Sequence, residues 1–433
     1  MVRSIKGVLI LKKEINIGLL GTGTVGGGVI LVLKDHEALI TERVGTPIRI
    51  KKVLARHPEK VHALDPSLPV VTDIDIVVEL IGREHPALEY MKKALLAGKN
   101  VVTANKDVVA VHGKELFELA AAHHVDFLFE ASVAGGIPII RPLKESLASN
   151  RISLIMGIIN GTTNYMLTRM TEEHMDFTEV LKQAQEKGYA ESDPTADIGG
   201  FDAARKIAIL SSIAFNTRVH LDEVEIEGIE KISLRDIVYA EELGYTIKLL
   251  GIAKQLKNGK ISVGVHPTML RKNHPLASDD VFNAVYIEGQ PIGEAMFYGR
   301  GAGRFPTASA VCGDIIECAR NIREGCNGRV GCTCYEEKAL ALKEEVFSQF
   351  YVRLLVDEAP GVLAQIASVF GKHEVSLFNV LQTRKLGDLA EIVVITHPVS
   401  VYDLEEATKE LAVTKVVNRI SNVLRVEDDQ SIC

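Results

Sequence analysis

The sequence predicts an α/β protein in three parts: a doubly wound, mostly parallel sheet, an α+β domain, and a closing ferredoxin-like βαββαβ unit. Three observations predict it. Strand-length apolar runs alternate with helical patterns from Glu14 to Ala131. After Pro142 the pattern changes to apolar runs that suit antiparallel strands, with helices between them. From Phe350 the alternation starts afresh, giving strand, helix, two strands, helix and strand. At 433 residues the chain is also too long for one core.

In the first part, a strand over 14–20 runs into Gly21-Thr22-Gly23-Thr24-Val25-Gly26 and then a helical pattern. Strand, G-x-G-x-x-G and helix in that order can hold a dinucleotide pyrophosphate, in a Rossmann-type fold. Gly21 permits the tight turn, Gly23 lets the backbone approach the phosphates, and Gly26 lets helix and strand pack closely. A glycine-rich turn without a ligand is the plain alternative. The second strand, 48–55, ends in Arg56, where a preference for NAD would place a carboxylate. A guanidinium there suits a 2′-phosphate and favours NADP, unless Arg56 is simply a surface arginine. Further strands are expected at 74–80, 100–103 and 125–131, with helices at 86–97 and 113–123. Ligands of such sheets sit at the carboxyl ends of the strands, where Gly82, Thr103-Ala-Asn-Lys106 and Glu130 fall.

Glu130-Ala-Ser-Val133-Ala-Gly135-Gly-Ile137-Pro pairs a carboxylate with a glycine turn, a set of oxygens that suits a hard cation or merely a domain-crossing loop. The second part expects strands at 153–159, 247–253, 261–266 and 284–289, with Asn160-Gly-Thr-Thr-Asn164 at the end of the first. Gly199-Gly200 then breaks the chain before an apolar helix over 201–215. Asp202 and Lys206 are four apart and share a face of that helix. Burial favours a neutral lysine and a neighbouring carboxylate restores its charge, which is one way to make a proton donor for neutral pH. The spacing equally fits an ion pair on a solvated face. A second glycine-rich loop, Gly299 to Thr307, precedes a helix over 308–320 that should return to the first domain. Residues 321–348 read as a linker. In the last part, Asp357-Glu-Ala-Pro-Gly361 joins strand to helix, and its N–H groups suit a carboxylate.

Composition narrows the function. A net charge of −8 and the lack of a basic stripe with aromatics argue against nucleic acid as a partner. Apolar runs stay strand-length, so no membrane span is expected, and the start of the chain lacks a signal-peptide pattern. A cytoplasmic protein with reduced thiols follows. Five of the six cysteines lie between Cys312 and Cys334, without the paired C-x-x-C of zinc sites.

Three long motifs add a resemblance. Gly157-Ile-Ile-Asn-Gly-Thr-Thr-Asn-Tyr-Met166, Gly188-Tyr-Ala-Glu-Ser-Asp-Pro194 with Asp202-Ala-Ala-Arg-Lys206, and Glu130 to Pro138 resemble homoserine dehydrogenase over nearly the whole chain. The segment from 349 is similar to an ACT domain, a module that binds amino acids. The resemblance implies a nucleotide-binding domain over 13–141 completed by the helix near 304–320, and a catalytic and dimerisation domain over 142–303. It implies a linker over 321–348 and a regulatory ACT domain over 349–429.

The activity implied is reversible NAD(P)H-dependent reduction of aspartate 4-semialdehyde to homoserine, on the route to threonine, methionine and isoleucine. By position, Lys206 resembles the family's proton donor, Lys106 its second active-site lysine, and Glu191 and Asp202 its substrate partners. Thr22, Thr24, Val25, Thr103 and Gly303 fall at cofactor positions, and Glu130, Val133, Gly135 and Ile137 at a sodium site. A homo-oligomer is expected, with threonine as the effector from pathway logic. Two features depart from the pattern: Arg83 where a second glycine is usual, and the cysteine cluster before the ACT segment. The rival readings are another NAD(P)-linked amino-acid or aldehyde dehydrogenase, and a catalytically dead amino-acid sensor.

Overall fold

The computed structural model describes residues 12–55, 74–277 and 281–427. Arg56 lies outside the described residues. The chain divides into two compact units, 1–149 with 208–221 and 297–336, and 150–207 with 222–296 and 337–433.

The first unit holds a five-stranded sheet with β1 (Ile15–Leu20), β2 (Ile48–Leu54), β3 (Ile76–Glu79), β4 (Asn100–Thr103) and β5 (Phe127–Leu128) in the order β2-β1-β3-β4-β5. All its pairings are parallel, as the alternating pattern predicts. Ile15, Ile17 and Leu19 are wholly buried because helices cover the sheet. One of these, Arg304–Glu324, places Ala308, Val311, Cys312, Ile315 and Cys318 in that core. It comes close to the first helix, Thr24–Asp35: a methyl group on Gly28 would lie 2.7 Å from the Arg304 carbonyl oxygen. Two differences from expectation bear on the site. The helix expected at 113–123 spans Lys106–Ala122, because the Asn105 Oδ1 accepts the Val108 N–H and caps it at the strand end. The strand expected over 125–131 stops at Leu128, and Glu130–Ser132 forms a 3-10 turn.

The second unit is built on a mixed sheet. Its strands are β6 (Arg151–Ile158), β7 (Glu225–Ile226), β8 (Tyr245–Gln255), β9 (Ile261–Arg271), β10 (Phe282–Gln290), β11 (Gly293–Arg300, of which 293–296 belong to this unit), β12 (Phe347–Asp357), β13 (Leu377–Leu386), β14 (Leu389–Thr396), β15 (Val399–Ser400) and β16 (Val417–Glu427). They run in the order β11-β10-β6-β8-β9-β16-β12-β14-β13, with β7 beside β9 and β15 beside β12. The pairs among β6, β8, β9 and β10 are antiparallel, as expected. Sequence patterning did not foresee the continuity of the sheet. The βαββαβ segment has its own core, including Val352, Ile366, Phe370, Val394 and Leu411, yet β16 pairs in parallel with β9 through Arg425, Val426 and Glu427. Strand patterning identifies each strand but not which edge joins which.

Candidate active site

The helix Phe201–Ala214 begins after Gly200, whose φ of 82° suits the absence of a side chain. It lies close to β8. A methyl group at Gly251 would sit 3.1 Å from the Ile207 Cβ and 2.9 Å from the Ile159 Cδ1, so Gly251 gives the helix room to approach the sheet. Lys206 is thereby placed against the end of β6. Its ammonium donates to the Ile159 carbonyl at 2.7 Å and to the Asp202 Oδ2 at 2.6 Å. Both side chains are largely buried, at 13% and 10% exposure, so the pair is not the solvated alternative. An ammonium has three N–H donors, and Lys206 uses two of them among the described residues.

Asn160 completes the cluster. It caps the helix Gly161–Glu173 by accepting the Thr163 N–H at 2.9 Å. Its Nδ2 donates to Asp202 at 2.9 Å and to Asp197 at 2.7 Å. The structure thus joins Lys206, Asp202 and Asn160 with Asp197, a residue that sequence reasoning passed over. Its signal was available: an acidic residue just ahead of the Gly199-Gly200 break, in the same acidic stretch as Asp202. Glu191 is not brought into the cluster. It is exposed in the loop before Pro194, and its carbonyl accepts from Gln185.

The glycine turn in the first unit has the shape its sequence requires. Gly21 has φ 97°, and a methyl group there would lie 2.6 Å from the Leu80 carbonyl oxygen. At Gly26 a methyl would lie 2.1 Å from the Gly21 carbonyl oxygen, so helix and turn touch only because both are glycine. Gly23 faces open space and is the N-cap of Thr24–Asp35 with no side-chain cap, leaving N–H groups of the helix start for a ligand. Thr22 and Val25 are partly exposed in this turn. Gly303 is exposed at the start of Arg304–Glu324 with φ 122°.

At the carboxyl ends of β3 and β4, wholly buried Glu79 organises the turn. One of its oxygens accepts the Ile81 N–H at 2.7 Å and the other accepts the Thr103 hydroxyl at 2.7 Å. Thr103 is itself wholly buried, so its side chain holds the turn rather than facing outward. Glu79 was also missed by sequence reasoning, because a carboxylate ending an apolar strand reads as its solvent boundary. Lys106 stands at the first position of its helix, partly exposed. Arg83 is exposed with φ 61°, and its carbonyl accepts from Asn105 at 2.7 Å.

The Glu130 loop is tightly organised. The carboxylate accepts the backbone N–H groups of Ile139, Ile140 and Arg141 at 2.6, 2.7 and 2.8 Å. Asp314 accepts the Glu130 N–H at 2.8 Å and the Arg141 guanidinium at 2.9 Å. Burial, with Glu130 beside it, pushes the Asp314 carboxyl up to about 7. Between these anchors Ala134 and Gly135 both have φ 55°. A methyl on Gly135 would lie 2.2 Å from the Gly301 carbonyl oxygen. Side-chain metal clusters of three or more His, Cys, Asp or Glu are absent among the described residues.

A parallel sheet with a glycine-lined helix start, and a buried lysine tied to a carboxylate, define a nicotinamide-nucleotide-dependent oxidoreductase. Family models agree: residues 21–130 match the NAD binding domain of homoserine dehydrogenase, 138–316 match homoserine dehydrogenase, and 350–414 match the ACT domain. The homoserine dehydrogenase of Bacillus subtilis strain 168 is 44% identical over 428 residues, covering 96% of this chain and 99% of that protein. A crystal structure of a homoserine dehydrogenase from Thiobacillus denitrificans is 41% identical with a TM-score of 0.91, over 96% of this chain and 99% of that one. A hyperthermophilic archaeal homoserine dehydrogenase mutant in complex with NADPH is 28% identical with a TM-score of 0.59, over 70% of this chain and 97% of that one. The chain belongs to the homoserine dehydrogenase family, joined to a C-terminal ACT domain.

Proposed function

We propose that Lys206 is the proton donor of this homoserine dehydrogenase, delivering its third N–H to the aldehyde oxygen of aspartate 4-semialdehyde. The observation that carries this is the buried pair of Lys206 and Asp202, fixed by the Ile159 carbonyl and by Asn160. When bound, the nicotinamide supplies the hydride. The chain's own task is to meet the negative charge that grows on the oxygen, and a fixed ammonium in a largely dry site does so without reorganising. Asp202 orients that ammonium through the 2.6 Å hydrogen bond. Asp202 and Glu191 are the carboxylates that suit the substrate's ammonium group, Glu191 from an exposed loop position, with Asp197 held beside Asp202 by Asn160. Lys106, at the carboxyl end of β4, serves as the second active-site lysine.

The pyrophosphate would lie at Gly21 to Gly26, with Thr22, Thr24 and Val25 around it and Thr103 and Gly303 contributing backbone. NADP is the favoured form because Arg56 follows β2 and suits a 2′-phosphate. Sodium fits the loop from Glu130 to Ile137 through main-chain carbonyls of Glu130, Val133, Gly135 and Ile137, since the Glu130 side chain is engaged by three N–H groups. It would brace this loop.

The ACT segment binds an amino acid, with threonine as the effector. Support lies in the turn 357–361, where Gly361, at φ 88°, caps the helix Val362–Lys372 without a side chain, leaving N–H groups for a carboxylate. We place the enzyme in the cytoplasm as a homo-oligomer. Among the described residues no helix is long and apolar enough to cross a membrane.

The test is an absorbance assay of homoserine-dependent reduction of NADP and of NAD, with and without threonine. Turnover favouring NADP and falling with threonine supports the reading. Amino-acid binding without turnover would make the chain a sensor instead.

A further inference from the structure

The cysteines before the ACT segment have no part in the reaction above, yet two of them sit in a defined chemical setting. Cys332 and Cys334 line a cavity of the first unit together with Lys144, Arg218, Phe117 and Ser212. The Arg218 Nη2 donates to the Cys332 sulfur at 3.3 Å, while its buried Nε has no partner among the described residues. The Lys144 ammonium lies 4.8 Å from the centre of the Phe117 ring and 5.7 Å from that of Phe129. The Cys334 thiol reaches the Ser212 carbonyl at 3.6 Å, on the helix whose first turns carry Lys206. Cys332 is exposed and Cys334 is partly buried. One guanidinium therefore bonds an accessible sulfur, a lysine lines the same cavity, and a second thiol lies two residues away.

We propose that Cys332 and Cys334 form a hydroperoxide-reactive dithiol, with Cys332 as the attacking thiolate and Cys334 as the resolving thiol. The Cys332 sulfur attacks the peroxide, an S–O bond forms as the O–O bond breaks, and the departing hydroxide takes a proton from solvent. Cys332 is then a sulfenic acid, oxidised by two electrons. Cys334 attacks that sulfur, the S–S bond forms, and the S–O oxygen leaves as water with the Cys334 proton. Two thiols become a disulfide while one peroxide is reduced to two waters.

The electrostatics support this division of roles. Hydrogen bonding from Cys334, with Arg218 and Lys144 adding their charge, brings the Cys332 thiol down to about 5, against the opposing effect of burial. The Cys332 sulfur and burial push the Cys334 thiol up. Burial brings Lys144 down to about 8, with Cys332 and Cys334 opposing that shift. The titratable and charged groups lining the cavity are these two cysteines, Lys144 and Arg218.

The experiment uses the full chain, hydrogen peroxide as oxidant, dimedone as the sulfenic-acid probe, and peptide mass mapping. Expected are a Cys332–Cys334 disulfide in the unchanged chain and a dimedone adduct on Cys332 in Cys334→Ser. Alkylation by iodoacetamide should distinguish Cys332 from Cys326. At pH 6 Cys332 should be alkylated faster than Cys326, because the Cys334 hydrogen bond and the neighbouring cations favour its thiolate. Arg218→Met should reduce that advantage while homoserine oxidation, assayed as the control for folding, stays unchanged. Equal alkylation rates at pH 6, a disulfide to Cys326 or Cys433, or a Cys334→Ser chain without the adduct would each overturn the proposal.

Discussion

Arg353 and Asp236 meet in a two-pronged buried ion pair, Nε to Oδ1 at 2.9 Å and Nη2 to Oδ2 at 3.2 Å, with side chains 6% and 0% exposed. Arg353 lies on β12 of the ACT segment, and Asp236 lies in the helix Leu234–Glu242. The pair is closed on all sides. Arg353 also donates to Glu391 and Ser233, Tyr351 and Asn422 donate to Asp236, and Tyr239 donates to Glu391. A satisfied network of this kind fixes one docking geometry, and it fails when one member is removed.

Arg353→Ala should therefore destabilise the second unit by about 3–5 kcal/mol, because Asp236 and Glu391 stay buried without their cation. Urea unfolding followed by circular dichroism measures it. A loss below about 1 kcal/mol would mean that water enters and replaces the guanidinium.

His266, on β9, reports on the same unit through pH. Burial, with Arg425 of β16 adding to it, holds the ring well below the ordinary histidine value. Below about pH 6.5 the unfolded chain takes up a proton that the folded chain refuses, so stability falls as the pH drops. The contribution is present above that value and is lost toward the lower folded one, with a slope of up to about 1.4 kcal/mol per pH unit. His266→Gln should show a smaller fall in urea midpoint between pH 7 and pH 5. An unchanged slope would assign the acid sensitivity to other groups.

Much of this architecture was legible, and the gaps have physical reasons. Apolar periodicity located the strands, and the glycine turn has the close packing its spacing suggests, since a methyl group on Gly21 or Gly26 would fall 2.6 or 2.1 Å from a backbone oxygen. The pair of Asp202 and Lys206 was visible from helical spacing. What spacing could not supply was the third dimension: Asn160 lies far along the chain from Asp197 and Asp202, and only the fold brings them within hydrogen-bond reach. The same holds for the parallel seam of β16 and β9, since a strand's pattern does not name its neighbour. Buried Cys312 and Cys318 belong to a helix core, which separates them from the exposed Cys332 that the sequence grouped with them.

Arg83 departs from the family pattern, and its backbone is the reason to test it. At φ 61° it occupies the left-handed region, which costs a non-glycine residue about 1–2 kcal/mol. Glycine relieves that cost but adds about 0.4–1 kcal/mol of unfolded-state freedom. Arg83→Gly should be neutral to stabilising by about 1 kcal/mol, whereas Arg83→Val should destabilise, since β-branching tolerates positive φ poorly. Thermal melts of the two variants decide it. If glycine lowers the melting temperature as much as valine does, the guanidinium rather than the backbone is what matters.

Lys206 carries the catalytic reading, and its substitution separates chemistry from folding and from nucleotide binding. The nucleotide elements, Gly21 to Gly26 and the start of Thr24–Asp35, belong to a different compact unit from Lys206. Lys206→Ala should leave NADPH affinity within about twofold by fluorescence titration, while kcat falls by about 100-fold to 10,000-fold, the range for loss of a positioned proton donor. Asp202→Asn keeps an oxygen for the ammonium but removes the charge, so it should lower kcat less than Lys206→Ala does. An equal loss of kcat and nucleotide affinity would indicate collapse of the helix start rather than loss of the donor. An unchanged kcat in Lys206→Ala would move the proton to another group and end the role assigned to this ammonium.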